Sequence, residues 1–506
     1  MRNFVKSIYK GVLLFAAISV ATVSNAQDYD LNNYKFRYQK YRGLSFDFSL
    51  SSGGRQEFNN SQNVKDSSEV YQNNGTNNNG FRIMPTYFLY ENTDKLQRST
   101  SISVEEDFVG TFSKQRVPGT LDSRKTGSNI LNITYSTNNR FYTGNRFKYF
   151  YFYSRNGIDL NSSSYKGKSN IGVDSKSKGQ SVGYSNNTNV SYGFGTGRLE
   201  YVTDAVQAMF IAENLNLIGK ETLTNNQIEK VAQGITQIRN ARYLDYRIGY
   251  KTQLTMLDSI LQANGISGEK SIAYFTVLSD NWLYANRIGR FSGARWTHFI
   301  NVNDDYHFVK SNSYSKSVSE DYYYNVYQSA NPKITLNTSY SNSTQKSLHV
   351  ERSYGFNVRG GIVYNHIQEA SVNQSSTPIN KDSLKLGIGS EWMMAEVYLG
   401  GNYSYLFQSN TRNYFTVNIY PSITYRTRLP KYSGSSTYHA RVIEPNLVMS
   451  ATYYHWFSPN LAINGNFNIG TNNNQFSDAF DENWHVKGQR INPYYNLFVG
   501  VVYQLF

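Results

Sequence analysis

The sequence contains no cysteine. That excludes a disulfide framework, an acylated lipoprotein thiol and a thiolate metal site. Beyond the N-terminal segment, no run approaches the roughly 20 apolar residues that a membrane-crossing helix requires. Catalytic signatures are missing as well. There is no G-x-S-x-G, no H-E-x-x-H, no Walker loop and no G-x-G-x-x-G opening a helix. No basic stripe interleaved with aromatics on one face offers a nucleic-acid surface. Apolar residues make up only 39% of the chain, which is thin for the two or three soluble domains that its length could supply.

Aromatic residues, in contrast, are abundant, with 44 Tyr and 29 Phe. Apolar residues also recur at every second position. Leu44, Phe46, Phe48 and Leu50 alternate with Ser45, Asp47 and Ser49. Phe415, Val417, Ile419, Ile423 and Tyr425 alternate with Thr416, Asn418, Ser422 and Thr424, and Leu461, Ile463, Phe467 and Ile469 with Ala462, Asn464, Asn466 and Asn468. This period suits a strand with one greasy and one wet face. A soluble sandwich would turn the greasy face inward, whereas a membrane barrel turns it to lipid. Several runs reach the roughly 9–11 residues that a tilted strand needs to cross a bilayer. Tight connections are expected at Thr137-Asn138-Asn139-Arg140 and Phe457-Ser458-Pro459-Asn460, and long polar loops at 51–80 and 470–490. Short turns on one side and long loops on the other are the habit of membrane barrels.

The N-terminus sets the expected compartment. Arg2, Lys6 and Lys10 precede the uncharged run Gly11–Ala21, and Ser24-Asn25-Ala26 follows as a small-x-small site. This is the layout of a secretory signal peptide over 1–26, cleaved after Ala26. The last strand, from Tyr494 to Phe506, resembles the sorting signal of Gram-negative outer-membrane proteins, carried here by Tyr503, Leu505 and Phe506. The resemblance implies recognition by the barrel-assembly machinery and an outer-membrane location, in contact with lipid and lipopolysaccharide. Phe506 departs from the pattern, since it falls on the opposite parity to Leu505. The Asn- and Tyr-rich composition with a Gln27 start resembles barrels of the Bacteroidota.

The expected fold class is therefore all-β, a transmembrane antiparallel β-barrel interrupted by a mostly helical periplasmic insert. About fifteen strands can be counted, and an even number is required if both ends share one side. Either 320–341 splits at Asn331-Pro332, giving sixteen, or 383–408 is one strand, giving fourteen. Pro421 inside a regular strand is an anomaly, because it lacks a ladder donor. Residues 27–197 form the first part of the barrel with about six strands, 198–290 the insert, and 291–506 the remainder.

Within the insert, Asp204–Leu217 reads as a first helix. Thr224-Asn225-Asn226-Gln227 matches a capping box, and Ile228, Val231, Ile235 and Ile238 follow as one helical stripe. Tyr246, Leu254, Leu257 and Leu261 continue an apolar face toward Gly265, a C-terminal stop. Gly234 and Gly249 speak against one unbroken rod. Six strands precede the insert, so it should emerge on the periplasmic side. There the stripe would form a plug face, or dock a periplasmic protein.

Candidate chemistry is sparse. The seven histidines, His298, His307, His349, His366, His439, His455 and His485, are scattered. Asp305 and His307 share one face of a strand and resemble half of the omptin protease arrangement. The acidic pair of that family has no match, and Glu105, Glu106 and Asp107 do not reproduce its spacing. His455-Trp456 reads as interfacial anchoring. Dispersed basic residues such as Arg140, Arg146, Lys148 and Arg155 suit anions in a lumen or lipopolysaccharide phosphates outside. The expected function is a porin-like channel or transporter for small polar solutes, without cofactor or metal. An anchoring or assembly barrel and an outer-membrane hydrolase are the alternatives.

Overall fold

The computed structural model describes residues 29–503, apart from 64–67, 118–119, 145–146, 170–173, 221, 242–245, 267–270, 318, 376–386, 430–438, 460, 472–474, 482–483 and 491–492. Residues 1–26, expected from the sequence to form a signal peptide, and Leu505 and Phe506 lie outside the described residues. The chain is all-β, with strands dominating and helices a minority. Among the described residues no helix is long and apolar enough to cross a membrane.

Six long strands come first: β1 (Tyr38–Asn63), β2 (Ser68–Thr93), β3 (Leu96–Val117), β4 (Thr120–Tyr142), β5 (Lys148–Ser169) and β6 (Ser175–Tyr201). Four helices follow: α1 (Thr203–Leu217), α2 (Asn225–Asn240), α3 (Tyr246–Ala263) and α4 (Ile272–Tyr284). The remaining strands are β7 (Phe291–Lys316), β8 (Glu320–Ala330), β9 (Lys333–Ser347), β10 (Val350–Ser375), β11 (Gly387–Asn410), β12 (Asn413–Leu429), β13 (His439–Ser458), β14 (Leu461–Thr471), β15 (Gln475–Asp481), β16 (Trp484–Arg490) and β17 (Pro493–Tyr503).

Among the described residues, all 17 strands belong to one antiparallel sheet. Three pairs of them lie end to end in a single stave. β8 and β9 pair with the upper and lower halves of β7, and again of β10. β14 and β15 share β13, while β16 and β17 descend along β15 and β14. Seventeen strands with three such breaks leave fourteen staves. Asn331-Pro332 does break its run, but the two halves stay collinear, and 387–410 is continuous. The described pairings run from β1 to β17, and an even stave count makes these two edges antiparallel.

The predicted loops and turns need correction. Residues 51–63 and 68–80 are paired strand, as are 475–481 and 484–490. Extended polar chain can pair wherever its backbone donors find a ladder, and it carries no alternation to announce it. Thr137–Arg140 lies inside β4, which runs on to Tyr142. Near the turn expected at 457–460, β13 runs on to Ser458 and β14 begins at Leu461. Pro421 is accommodated because the β11–β12 ladder lapses between Gly400/Ser422 and Tyr403/Ile419. Gly401 leaves room there for the proline ring.

The wall is inverted relative to a soluble fold. Leu44, Phe46, Phe48 and Leu50 on β1 are 61–73% exposed, and Tyr495, Leu497, Val499 and Val501 on β17 are 67–79% exposed. Phe150, Ile158 and Leu160, Val182, Tyr192 and Phe194, and Val358, Val397 and Leu399 are likewise exposed. The opposite face is polar, and near the helical end it is sealed: Gln39 and Asn92 are wholly buried. On β5 the outward apolar residues run from Phe150 to Leu160, about the span expected of a tilted crossing strand.

The helices form the chain's ordinary hydrophobic core. Phe210, Ile211, Leu215, Leu257, Leu261 and Leu278 are all buried together. At the start of α2 the Thr224 N–H donates to Gln227 Oε1 at 2.8 Å, the reach-back half of a capping box. After α3, Gly265 takes a φ of +92° and the Ile266 N–H donates to the Leu261 carbonyl, closing the helix. Gly234 does not interrupt α2. A Cβ there would stand 2.6 Å from Ile260 on α3, so the glycine permits the two helices to approach.

Candidate functional site: the polar face and its helical cover

Three short turns, at 94–95, 348–349 and 411–412, lie at the end where β6 leaves for α1 and α4 returns to β7. The helices are fastened to this end through polar contacts, beside apolar packing on Leu348, Trp456 and Ala462.

One contact is centred on Asp204, at the first turn of α1 and wholly buried. It accepts the Tyr41 hydroxyl of β1 at 2.6 Å and the Thr236 hydroxyl of α2 at 2.5 Å. Arg239 Nη1 lies 2.8 Å from its other oxygen. Burial pulls the Arg239 guanidinium down, but Asp204 and Tyr41 beside it hold it above its usual range. Tyr41, Tyr90 and Tyr201 stack around this carboxylate from three strands. The Asn240 carboxamide adds two bonds to the β1 backbone, at Tyr38 O and Lys40 N.

A second contact surrounds Arg290, which is also wholly buried, between α4 and β7. Its guanidinium donates to Glu351 at 2.9 Å, to Gln345 at 2.5 and 3.1 Å and to Gln408 at 3.3 Å. These acceptors come from the lower ends of β10, β9 and β11. A third ties Arg412, in the β11–β12 turn, to both carboxylate oxygens of Asp280 on α4 at 2.8 and 2.9 Å.

A fourth is titratable near neutrality. His349 Nε2 lies 3.3 Å from Glu213 on α1, Nδ1 lies 2.8 Å from the Gln408 carbonyl, and Phe210 meets the ring edge-on. Burial and the nearby Arg290 pull the imidazole down, yet Glu213 and the carbonyl leave it above its ordinary value. A raised folded value means that protonation strengthens the contact. Its stabilisation is complete below the unfolded value near 6.5 and fades as pH rises through the folded one. The helical transition should therefore melt at lower temperature at pH 8.5 than at pH 6, and His349→Gln should flatten that difference. An unchanged pH dependence in the variant would remove His349 from the docking.

Above the helices the inner face stays polar. Glu396 receives Lys333 and Arg359 at 2.7 Å and Arg426 at 2.9 Å, and Arg426 also reaches Glu444 at 2.6 Å. This charge network stands directly behind Val358, Val397 and Leu399, which point the other way at the same level. Across the sheet, Tyr149 lies flat over Gly195, its hydroxyl 2.7 Å from the Trp296 carbonyl and 2.6 Å from Thr297. Any side chain at Gly195 would displace that ring.

The predicted site residues fall differently. Asp305 and His307 do share the inner face, but the carboxylate receives Asn187 and Asn303, and His307 packs on the Tyr327 ring. Glu105 is held by Arg82 at 2.6 Å. Ile228, Val231, Ile235 and Ile238 are wholly buried within the bundle, so the stripe is consumed by this chain's own helices and is not free for a partner. Trp456 is buried against Tyr284, with Arg287 4.3 Å from its ring centroid, and so is not an interfacial anchor. Tyr503 ends β17, and its sorting role concerns a stretch that continues beyond the described residues. Among the described residues no cluster of three or more metal-ligating side chains forms. The docking roles of Asp204 and Arg290 were not legible in the sequence, because nothing in the linear pattern marks their distant partners. No protein-family model matches the chain, and no curated protein matches it.

Proposed function

We propose that the chain is an outer-membrane β-barrel that passes small polar solutes, with the helical bundle held as a cover over its periplasmic mouth. The observation that carries this reading is the inverted wall. A face of exposed Leu, Ile, Val, Phe and Tyr is stable only against hydrocarbon, and a face carrying Glu396, Arg359 and Arg426 only against water or protein. Closure of β1 against β17 would remove both free edges, as lipid demands.

Tyr201 and Phe291 face each other directly in the β6–β7 ladder. A short turn can therefore replace residues 203–289 without disturbing the wall. In planar bilayers the intact protein is expected to conduct weakly and the shortened one steadily. Silent bilayers from a shortened protein that still inserts would refute the channel reading.

A further inference from the structure

Above the apolar band, on the same outward parity, β4 to β7 carry lysines placed directly opposite one another. Lys125, Lys166 and Lys178 occupy one cross-strand row, which ends on Tyr314. Lys168, Lys176 and Lys316 occupy the next row up. All six are exposed, and they share the face of Leu160 on β5 and Val182 on β6, with no register shift between. Like charges directly opposite destabilise a sheet. Natural strands avoid the arrangement unless something anionic offsets it. Among the described residues the one carboxylate in these rows is Glu320, 2.5 Å from Lys316. The other five lysines meet rings instead of acids where they meet anything: Lys125 stands over Phe112 and Lys178 over Tyr314, 5.6 and 5.4 Å from the centroids. Beside them a cavity of about 380 Å³ opens among Lys166, Lys178, Tyr314 and Tyr322.

The position fixes the ligand class. Lys178 stands four residues beyond Val182 and Lys166 six beyond Leu160. At about 3.3 Å per residue and a tilt near 40°, the ammonium groups reach a layer about 10–15 Å above the hydrocarbon edge. Lysine stems can bend back toward that edge. Phosphorylated sugars of an outer-leaflet glycolipid occupy this layer, and tyrosine rings suit their pyranose faces. We infer that the lysine rows on β4 to β7 form a docking surface for the phosphate groups of lipopolysaccharide. The inference rests on the membrane reading above.

The test uses the full protein in detergent and the quadruple variant K166Q/K168Q/K176Q/K178Q. Binding is measured to lipopolysaccharide, to its enzymatically dephosphorylated form and to inorganic phosphate. Wild type is expected to bind the phosphorylated glycolipid at least tenfold more tightly than either the variant does or the dephosphorylated form is bound, with the difference shrinking at high salt. The lipid-free variant should melt no lower than wild type, since the opposed charges are gone. A control variant, K230Q/K251Q on the helices, should bind as wild type does. Equal binding by wild type and quadruple variant, or equal binding of the dephosphorylated form, would overturn the inference. So would inorganic phosphate saturating the rows at micromolar concentration, because the source would then be the free ion. Insertion into vesicles, scored separately, distinguishes failure of this surface from failure of the membrane reading.

Discussion

Asp204→Ala is expected to release the helical bundle from the mouth, at a cost of about 3–5 kcal/mol. The size follows from what remains behind. Arg239 is nearly buried and would lose the carboxylate 2.8 Å away, while the Tyr41 and Thr236 hydroxyls would lose their common acceptor. Deleting one member of a buried pair is far more damaging than replacing both, because the surviving charge keeps its desolvation without compensation. Asp204→Asn retains an acceptor for the hydroxyls and should cost roughly half as much. Denaturant titration followed by helical circular dichroism measures both, and channel currents should rise in the same order. If Asp204→Ala left the helical transition and the currents unchanged, the carboxylate would not be what fastens the cover.

The second large effect concerns the wall. Leu399 sits at mid-band on β11, flanked by Val358 on β10 and Ile423 on β12, all three exposed. Leu399→Arg should cost about 2–4 kcal/mol for a barrel folded in phospholipid vesicles, the penalty of a guanidinium at the bilayer midplane. Asn418→Arg is the internal control. It lies on the neighbouring stave with its side chain on the polar face, opposite Ser404, and should change stability by less than about 1 kcal/mol. A soluble protein would reverse the order, tolerating the exposed arginine and resisting the inward one.

The two faces of the wall were legible in the sequence because successive residues of a strand point to opposite faces and here alternate apolar with polar. Phe46, Phe48, Leu497 and Val499 all lie where their parity put them. The Gly265 stop and the Thr224–Gln227 cap were legible for a similar reason, since each satisfies backbone groups only a few residues away. The extended hairpins at 51–63 and 68–80 were hidden, because strands polar on both faces look like loops. Asn138-Asn139 drew the expected turn into a strand that runs on to Tyr142. α4 passed unnoticed as a separate helix, its Ser271 cap and short apolar run giving little periodicity. The fastening of the cover was hidden most deeply. Tyr41 and Asp204 are 163 positions apart, and Arg290 finds Glu351 61 positions on. A stripe such as Ile228–Ile238 announces that a helix has a buried side, but not whose surface buries it.

Because the protein has no native thiol, single cysteines from Met393 to Tyr403 can each carry a spin label on an unmodified background. In vesicles, collision with oxygen and with a water-soluble nickel chelate should alternate residue by residue. Positions 393, 397, 399 and 403 should favour oxygen, and 396, 398 and 402 the chelate. Uniform access of the chelate to all of them, with the protein remaining in the aqueous phase, would contradict a wall that faces lipid.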